Sequence, residues 1–223
     1  MKYTTLLFDL DDTLLDFCKA EDNAITLLFE KYGIPVTDEN KKLYSDINRA
    51  KWMALEKGEI TRKELFTTRF ADFFAVLGLD ADSIKANEKY ISFLGQGHFL
   101  IDGALETCRI LSQKYSMFII TNGAKKAQEG RLNDSPLMQY FDGVFISEEI
   151  GFDKPKKEYF DFVYTHIPEK DKSATLVIGD SLNSDIAGAV NYGVDSCWVN
   201  RGEPKETAAT YTVKNVADLL LIL

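Results

Sequence analysis

Three apolar runs are too short, and too rich in β-branched and aromatic residues, to read as helices: residues 4–8 (TTLLF), 116–120 (SMFII) and 174–178 (ATLVI). Each predicts a buried strand, and 143–147 and 196–200 predict two more. From about residue 100 onward such runs alternate with amphipathic helical stretches, the pattern of parallel βα units. The segment 16–94 is different. It holds no convincing strand and repeats apolar residues at helical spacing over 20–32, 40–57 and 62–77. Gly33-Ile34-Pro35, Lys57-Gly58 and Gly78-Leu79 supply the stops. The pattern predicts an α/β sheet broken after its first strand by a helical insertion.

The residues that close these strands carry the candidate chemistry. The first run meets Asp9-Leu10-Asp11-Asp12-Thr13, three carboxylates in four residues. They repel one another and suit a strand end poorly unless a divalent cation sits there. Mg²⁺, a hard ion that binds carboxylate oxygens and keeps several waters, fits phosphate chemistry. With Asp9 closing the strand, Asp9 and Asp11 project the same way, so one can attack phosphorus while the other handles a proton. The plainer reading is an acidic turn in which Asp11 or Asp12 caps a helix.

The later runs weigh against that plainer reading. Residues 174–178 end in Gly179-Asp180-Ser181-Leu182-Asn183-Ser184-Asp185, again a carboxylate at a strand end, with a second five residues on. Acidic ends of parallel strands can converge on one ion, because ligands of α/β sheets bind there. Residues 116–120 end in Thr121-Asn122-Gly123, a hydroxyl and turn amides ahead of a helix, which make an anion seat. Phe152-Asp153-Lys154-Pro155 follows, where Pro155 can open a helix and hold Lys154 extended. Singly, Asn122-Gly123 is a turn signal and Lys154 belongs to a solvated lysine face. Their joint order along the chain is what points to a site.

On these four motifs the chain resembles the haloacid dehalogenase-like (HAD) phosphohydrolases over nearly its whole length. The resemblance implies a Rossmann-like doubly wound parallel sheet formed by 1–15 and 95–223, with an α-helical cap, 16–94, inserted after the first strand. It implies that Asp9 is the nucleophile that becomes an aspartyl phosphate and Asp11 the general acid and base. Thr121, with Asn122 and Gly123, would hold phosphoryl oxygens, and Lys154 would neutralise the nucleophile and the phosphate. Mg²⁺ would be held by Asp9, Asp180 and the main-chain carbonyl of Asp11. Asp185 would either support the metal or orient Lys154. Dehalogenation is disfavoured, since the family's dehalogenases need no metal and lack an acid where this chain has Asp11. Lys156 departs from the family's more usual acid after Lys-Pro and makes the local potential more positive.

Composition narrows the partners. A chain of 223 residues with 45% hydrophobic content suits one large domain, or a core with an insertion. No apolar stretch approaches the roughly 18 residues of a membrane span, and the N-terminus does not read as a secretory signal. Cys18, Cys108 and Cys197 are odd in number and lack CxxC spacing, so a reducing cytoplasm is the expected setting. A net charge of -9 argues against a nucleic-acid polymer and leaves room for a mononucleotide, whose single phosphate a metal and one lysine can neutralise. Neither His98 nor His166 attracts a role.

Substrate choice is expected to lie in the insertion. Asn48, Arg49, Trp52, the 56–61 stretch and Arg69-Phe70, with Gln128, Arg131 and residues 197–200, resemble a bacterial subgroup of pyrimidine 5′-nucleotidases. Arg49, Trp52 and Arg69 are the candidate specificity residues, because an aromatic–arginine surface can stack and hydrogen-bond a base. Against this, Trp52, Phe66, Phe70, Phe73 and Phe74 recur at helical spacing and can simply build the insertion's own core. Two other readings remain at this point: a sugar-phosphate phosphatase or phosphomutase, and a Mg²⁺-binding phosphoacceptor or sensing module without turnover. The sequence leaves the oligomeric state open.

Overall fold

The computed structural model describes residues 2–223. It separates into two compact units, 18–97 and the combination of 2–17 with 98–223. The larger unit is a six-stranded sheet, all parallel: β1 (Thr5–Phe8), β2 (Ser116–Thr121), β3 (Gly143–Ile146), β4 (Thr175–Gly179), β5 (Asp195–Val199) and β6 (Tyr211–Val213). The strands lie in the order β3-β2-β1-β4-β5-β6. The chain builds outward from β1 in one direction, then returns to start again at β4, so β1 and β4 flank the switch point where α/β sheets bind ligands. Register is tight there: Thr5 pairs with both Ser116 and Thr175, and Phe8 with both Ile119 and Ile178.

Alternation along the strands explains why the sheet is covered on both faces. Leu6, Phe8, Met117, Ile119, Leu176 and Ile178 join one apolar cluster, and Leu7, Phe118, Ile120 and Val177 join the other. The helices of the insertion are α1 (Phe17–Tyr32), α2 (Asp38–Glu56), α3 (Arg62–Leu77) and α4 (Ser83–Leu94). Those of the sheet unit are α5 (Ala104–Leu111), α6 (Lys125–Asn133), α7 (Ser147–Ile150), α8 (Lys157–His166) and α9 (Ala187–Tyr192). Ala104, Cys108 and Leu111 of α5 fill the first cluster; Tyr159, Phe160 and Val163 of α8 with Ala189 and Tyr192 of α9 fill the second. This is the doubly wound Rossmann-like arrangement.

The helical unit has its own core. Phe29 and Phe73 stack at 5.3 Å, Tyr44 and Phe70 at 4.9 Å, and Leu28, Leu65 and Tyr90 are buried beside them. Thr61 and Glu64 form a reciprocal capping box that opens α3, and Gly78, a stop the sequence indicates, ends it in the left-handed conformation. Two details differ from the sequence reading. Helix α8 starts at Lys157 rather than at Pro155, with Lys156 in the cap position. Strand β6, three residues at the sheet edge, was not anticipated. Among the described residues no helix is long and apolar enough to cross a membrane.

Candidate active site

Strand geometry delivers the acids. Asp9 follows β1 directly, and its amide still donates to the Ile178 carbonyl at 2.8 Å, extending the ladder one residue. Asp180 follows β4, and the Trp198 indole of β5 donates to its carbonyl at 2.7 Å. Thr121 is the last residue of β2. All three therefore stand at the carboxyl end of the sheet, on strands that neighbour one another.

Lys154 lies at the centre. It is 1% exposed, so the solvated lysine face is not its setting. Its ammonium donates to Asp9 Oδ1 at 2.7 Å, Asp185 Oδ1 at 2.7 Å and the Ile120 carbonyl at 2.8 Å. Asn122 fixes the backbone that carries it: Nδ2 donates to the Lys154 carbonyl and Oδ1 accepts from the Lys154 amide, both at 2.9 Å. Burial pulls the lysine pKa down, but Asp185 and Asp9 outweigh that and leave it above the usual range. The Asp9 carboxyl is pushed up to about 8, first by burial and then by Asp185, with Lys154 pulling the other way. Asp180 is pushed up to about 9, by burial, then by Asp9, Asp185 and Asp12. One lysine does not balance this many acids.

The donor set fits a hard divalent cation. Asp9, Asp180 and Asp185 each offer a carboxylate oxygen, and these oxygens lie within 4.8 Å of one another. All are oxygen donors, as Mg²⁺ requires, and the upward pull on Asp9 and Asp180 is the unbalanced repulsion that a cation would relieve. Asp185 is held rigidly for its part. Its Oδ2 accepts the Ser181 amide at 3.1 Å, and a Cβ on Gly179 would stand 2.3 Å from its Cγ, so only glycine lets it pack there.

Asp11 and Asp12 diverge. Asp12 adopts φ 55° and accepts the Phe17 amide at 3.0 Å, which starts α1, so the capping role belongs to Asp12. The Asp11 carboxylate turns to α6, where Arg131 pairs with it and Gln128 Nε2 donates to it at 2.7 Å. Gln128 Nε2 also lies 2.8 Å from the Thr121 hydroxyl, which in turn accepts the Gly123 amide at 3.1 Å.

Comparison with known proteins decides what this site belongs to. Residues 3–193 match the family described as haloacid dehalogenase-like hydrolase. The HAD-hydrolase YfnB of Bacillus subtilis is 44% identical over 225 residues, covering 100% of this chain and 96% of YfnB. A YfnB crystal structure described as bound to magnesium and revealing interdomain movement superposes with a TM-score of 0.94, at 43% identity, covering 100% and 99% of the two chains. The chain belongs to the haloacid dehalogenase-like hydrolases. Among its HAD relatives are the pyrimidine 5′-nucleotidases PynA of Streptococcus pneumoniae, 37% identical with 99% and 94% covered, and YjjG of Escherichia coli, 32% identical with 100% and 99% covered.

Six of the residues singled out from the HAD motifs, Asp9, Thr121, Asn122, Lys154, Asp180 and Asp185, gather at one end of the sheet, and Asp11 is tied to Thr121 through Gln128. The three insertion residues do not form a common surface. Arg49 is exposed and paired with Asp46 at 2.6 Å. Trp52 is half-buried against the Phe66 edge and under the Arg62 guanidinium. Arg69 is buried, donating to Asn87 at 2.8 Å and Asn48 at 3.0 Å over the Tyr90 ring. Arg69 therefore belongs to the interior of the helical unit, where its partners hold a charge that burial would otherwise make costly. The sequence reading gave Gln128 and Arg131 no place beside Asp11. Their spacing of three on α6 puts them on one face, a signal available without the fold.

Proposed function

We propose that the chain is a Mg²⁺-dependent phosphomonoesterase working through an aspartyl phosphate, and that it prefers pyrimidine nucleoside 5′-monophosphates. The observation that carries the chemical part is the buried Lys154 bridging Asp9 and Asp185, with Asp180 alongside and Thr121 closing the next strand. Asp9, Asp180 and the Asp11 main-chain carbonyl would hold the Mg²⁺, with Asp185 in support through its grip on Lys154. When bound, the ion supplies charge neutralisation between a phosphate dianion and a carboxylate that would otherwise repel it.

The residues then divide the work. An Asp9 carboxylate oxygen attacks phosphorus, and the bond to the leaving oxygen breaks with its electron pair passing to that oxygen. Asp11, protonated at this stage, gives it a proton. Water next attacks the phosphorus of the aspartyl phosphate, its proton passes to Asp11, and the bond to Asp9 breaks to return the carboxylate. Lys154, the Thr121 hydroxyl and the Asn122-Gly123 turn stabilise charge on the equatorial oxygens, the main source of catalysis in this reaction class. The helical unit serves as a substrate-selecting cap, a role supported by its insertion directly after the acidic turn. Three cysteines, an odd number without CxxC spacing, accord with a cytoplasmic setting.

Support for the nucleotide comes from PynA and YjjG, both described as pyrimidine 5′-nucleotidases. The test compares kcat/KM for uridine and thymidine monophosphates with that for ribose 5-phosphate, which shares the phosphate and has a similar sugar. Base stacking of ~1–3 kcal/mol predicts a preference of roughly five- to more than a hundredfold. Equal efficiencies would leave a general phosphatase. Absence of phosphate release from every monoester with Mg²⁺ would overturn the hydrolase reading itself.

A further inference from the structure

We propose that Gln128 and Arg131 are positioning residues that hold the Asp11 carboxylate for proton transfer and lock it to the phosphate seat at Thr121. The inference rests on the phosphomonoesterase reading above and adds two residues to its machinery. Both side chains are almost fully buried, 1% and 0% exposed, which is unusual for such polar groups unless their partners are fixed. Those partners are the residues with chemistry to do. Arg131 Nη1 pairs with Asp11 Oδ1, and Gln128 Nε2 reaches Asp11 Oδ2 at 2.7 Å, so each carboxylate oxygen has its own donor. The same Gln128 nitrogen lies 2.8 Å from Thr121 Oγ1, and Gln128 Oε1 accepts from Arg131 Nη1 at 3.1 Å, closing the cluster.

The surroundings are shaped around this contact. A Cβ on Gly123 would stand 2.1 Å from Gln128 Nε2, so the glycine of the turn makes room for Gln128 rather than for a bend, and any side chain there would dislodge it. Asp11 follows β1 by three residues and has no strand to hold it, unlike Asp9. Helix α6, beginning four residues after Thr121, supplies that hold instead. An acid that must meet the leaving oxygen while Thr121 holds the phosphoryl group gains from being tied to that same threonine.

The test uses leaving-group dependence. Phenyl phosphate and p-nitrophenyl phosphate have nearly the same shape, but phenolate needs a proton as it leaves and p-nitrophenolate needs far less. Gln128→Met keeps side-chain length and Arg131→Met keeps an unbranched apolar stem, and each removes the donors. In each variant kcat/KM for phenyl phosphate is expected to fall about ten- to a hundredfold further than for p-nitrophenyl phosphate, a loss in the range misplacement of a catalytic group produces. The ratio is taken on one preparation, so partial unfolding cancels. Equal losses on the two substrates, or no loss, would overturn the proposal and reduce both residues to packing. A wild-type protein that hydrolyses neither substrate with Mg²⁺ would instead overturn the parent reading and this inference with it, and the two failures are told apart by the wild-type rate.

Discussion

Replacing Lys154 by methionine should cost both stability and activity, and the size of the first effect follows from the burial of the site. Lys154 donates three bonds of 2.7–2.8 Å, two of them to carboxylates of Asp9 and Asp185 that are themselves buried. Methionine matches its length and leaves those carboxylates without their cation. Breaking a buried ion pair from one side costs ~3–5 kcal/mol. For a chain of this length each kcal/mol moves Tm by roughly 2–4 °C, so the variant should melt about 6–20 °C below wild type in chelator at pH 8. The pH dependence has a definite sign. Asp9 is raised from its ordinary 3.8 to about 8. Its contribution to stability is therefore fully present below pH ~4 and is lost as pH rises through about 8. Lys154 pulls the Asp9 pKa down, so in the variant Asp9 keeps its proton to higher pH. The gap in Tm should therefore hold nearly constant up to neutral pH, where Asp9 is protonated in both proteins, and widen as pH rises above about 8. Thermal unfolding of both proteins in chelator at neutral and at alkaline pH measures it. A folded Lys154→Met protein melting within about 2 °C of wild type at pH 8 would refute the view that Lys154 balances these buried acids.

Two further outcomes follow from the same geometry. Asp180→Ala should raise the Mg²⁺ concentration needed for phosphate release or abolish it, with Ca²⁺ a poor substitute because it prefers more ligands at longer distance; an unchanged Mg²⁺ titration would remove Asp180 from the cation site. Gly179→Ala should displace Asp185, whose Cγ lies 2.3 Å from the added Cβ, lowering activity and costing ~1–3 kcal/mol of stability by overpacking; wild-type activity and Tm would show that Asp185 need not sit where it does.

Much of this site was legible because it lies at strand ends. Asp9, Thr121 and Asp180 follow short apolar runs whose identity as buried strands needs only local pattern, and parallel packing brings such ends together. Taken singly, Lys154 read as one lysine among neighbours; its place before Pro155 and the HAD resemblance singled it out, and its contacts with Asp9 and Asp185 set it apart from Lys156 and Lys157. The acidic turn hid a division of labour: Asp12 caps α1, while Asp11 faces α6. That second contact spans 117 residues of chain and leaves no trace in local sequence beyond the i, i+3 pair of Gln128 and Arg131. Arg69 illustrates the opposite error. An arginine beside aromatics on a helix suggests a ligand surface, but Asn87 and Asn48, 18 and 21 residues away, turn it inward. Strand β6 escaped notice because three edge residues carry too little alternation to register.

The central claim is that Asp9 is the nucleophile, and trapping the covalent intermediate tests it most directly. Wild-type protein with Mg²⁺, mixed with excess phosphomonoester and quenched in acid within milliseconds, should yield a peptide carrying a phosphoryl group on Asp9, identified by mass. Asp9→Asn, with its fold verified by thermal unfolding, should carry no label and release no phosphate, because an amide neither attacks phosphorus nor holds Mg²⁺ comparably. Phosphate release at the wild-type rate by folded Asp9→Asn, or a phosphoryl group on another residue, would contradict the account.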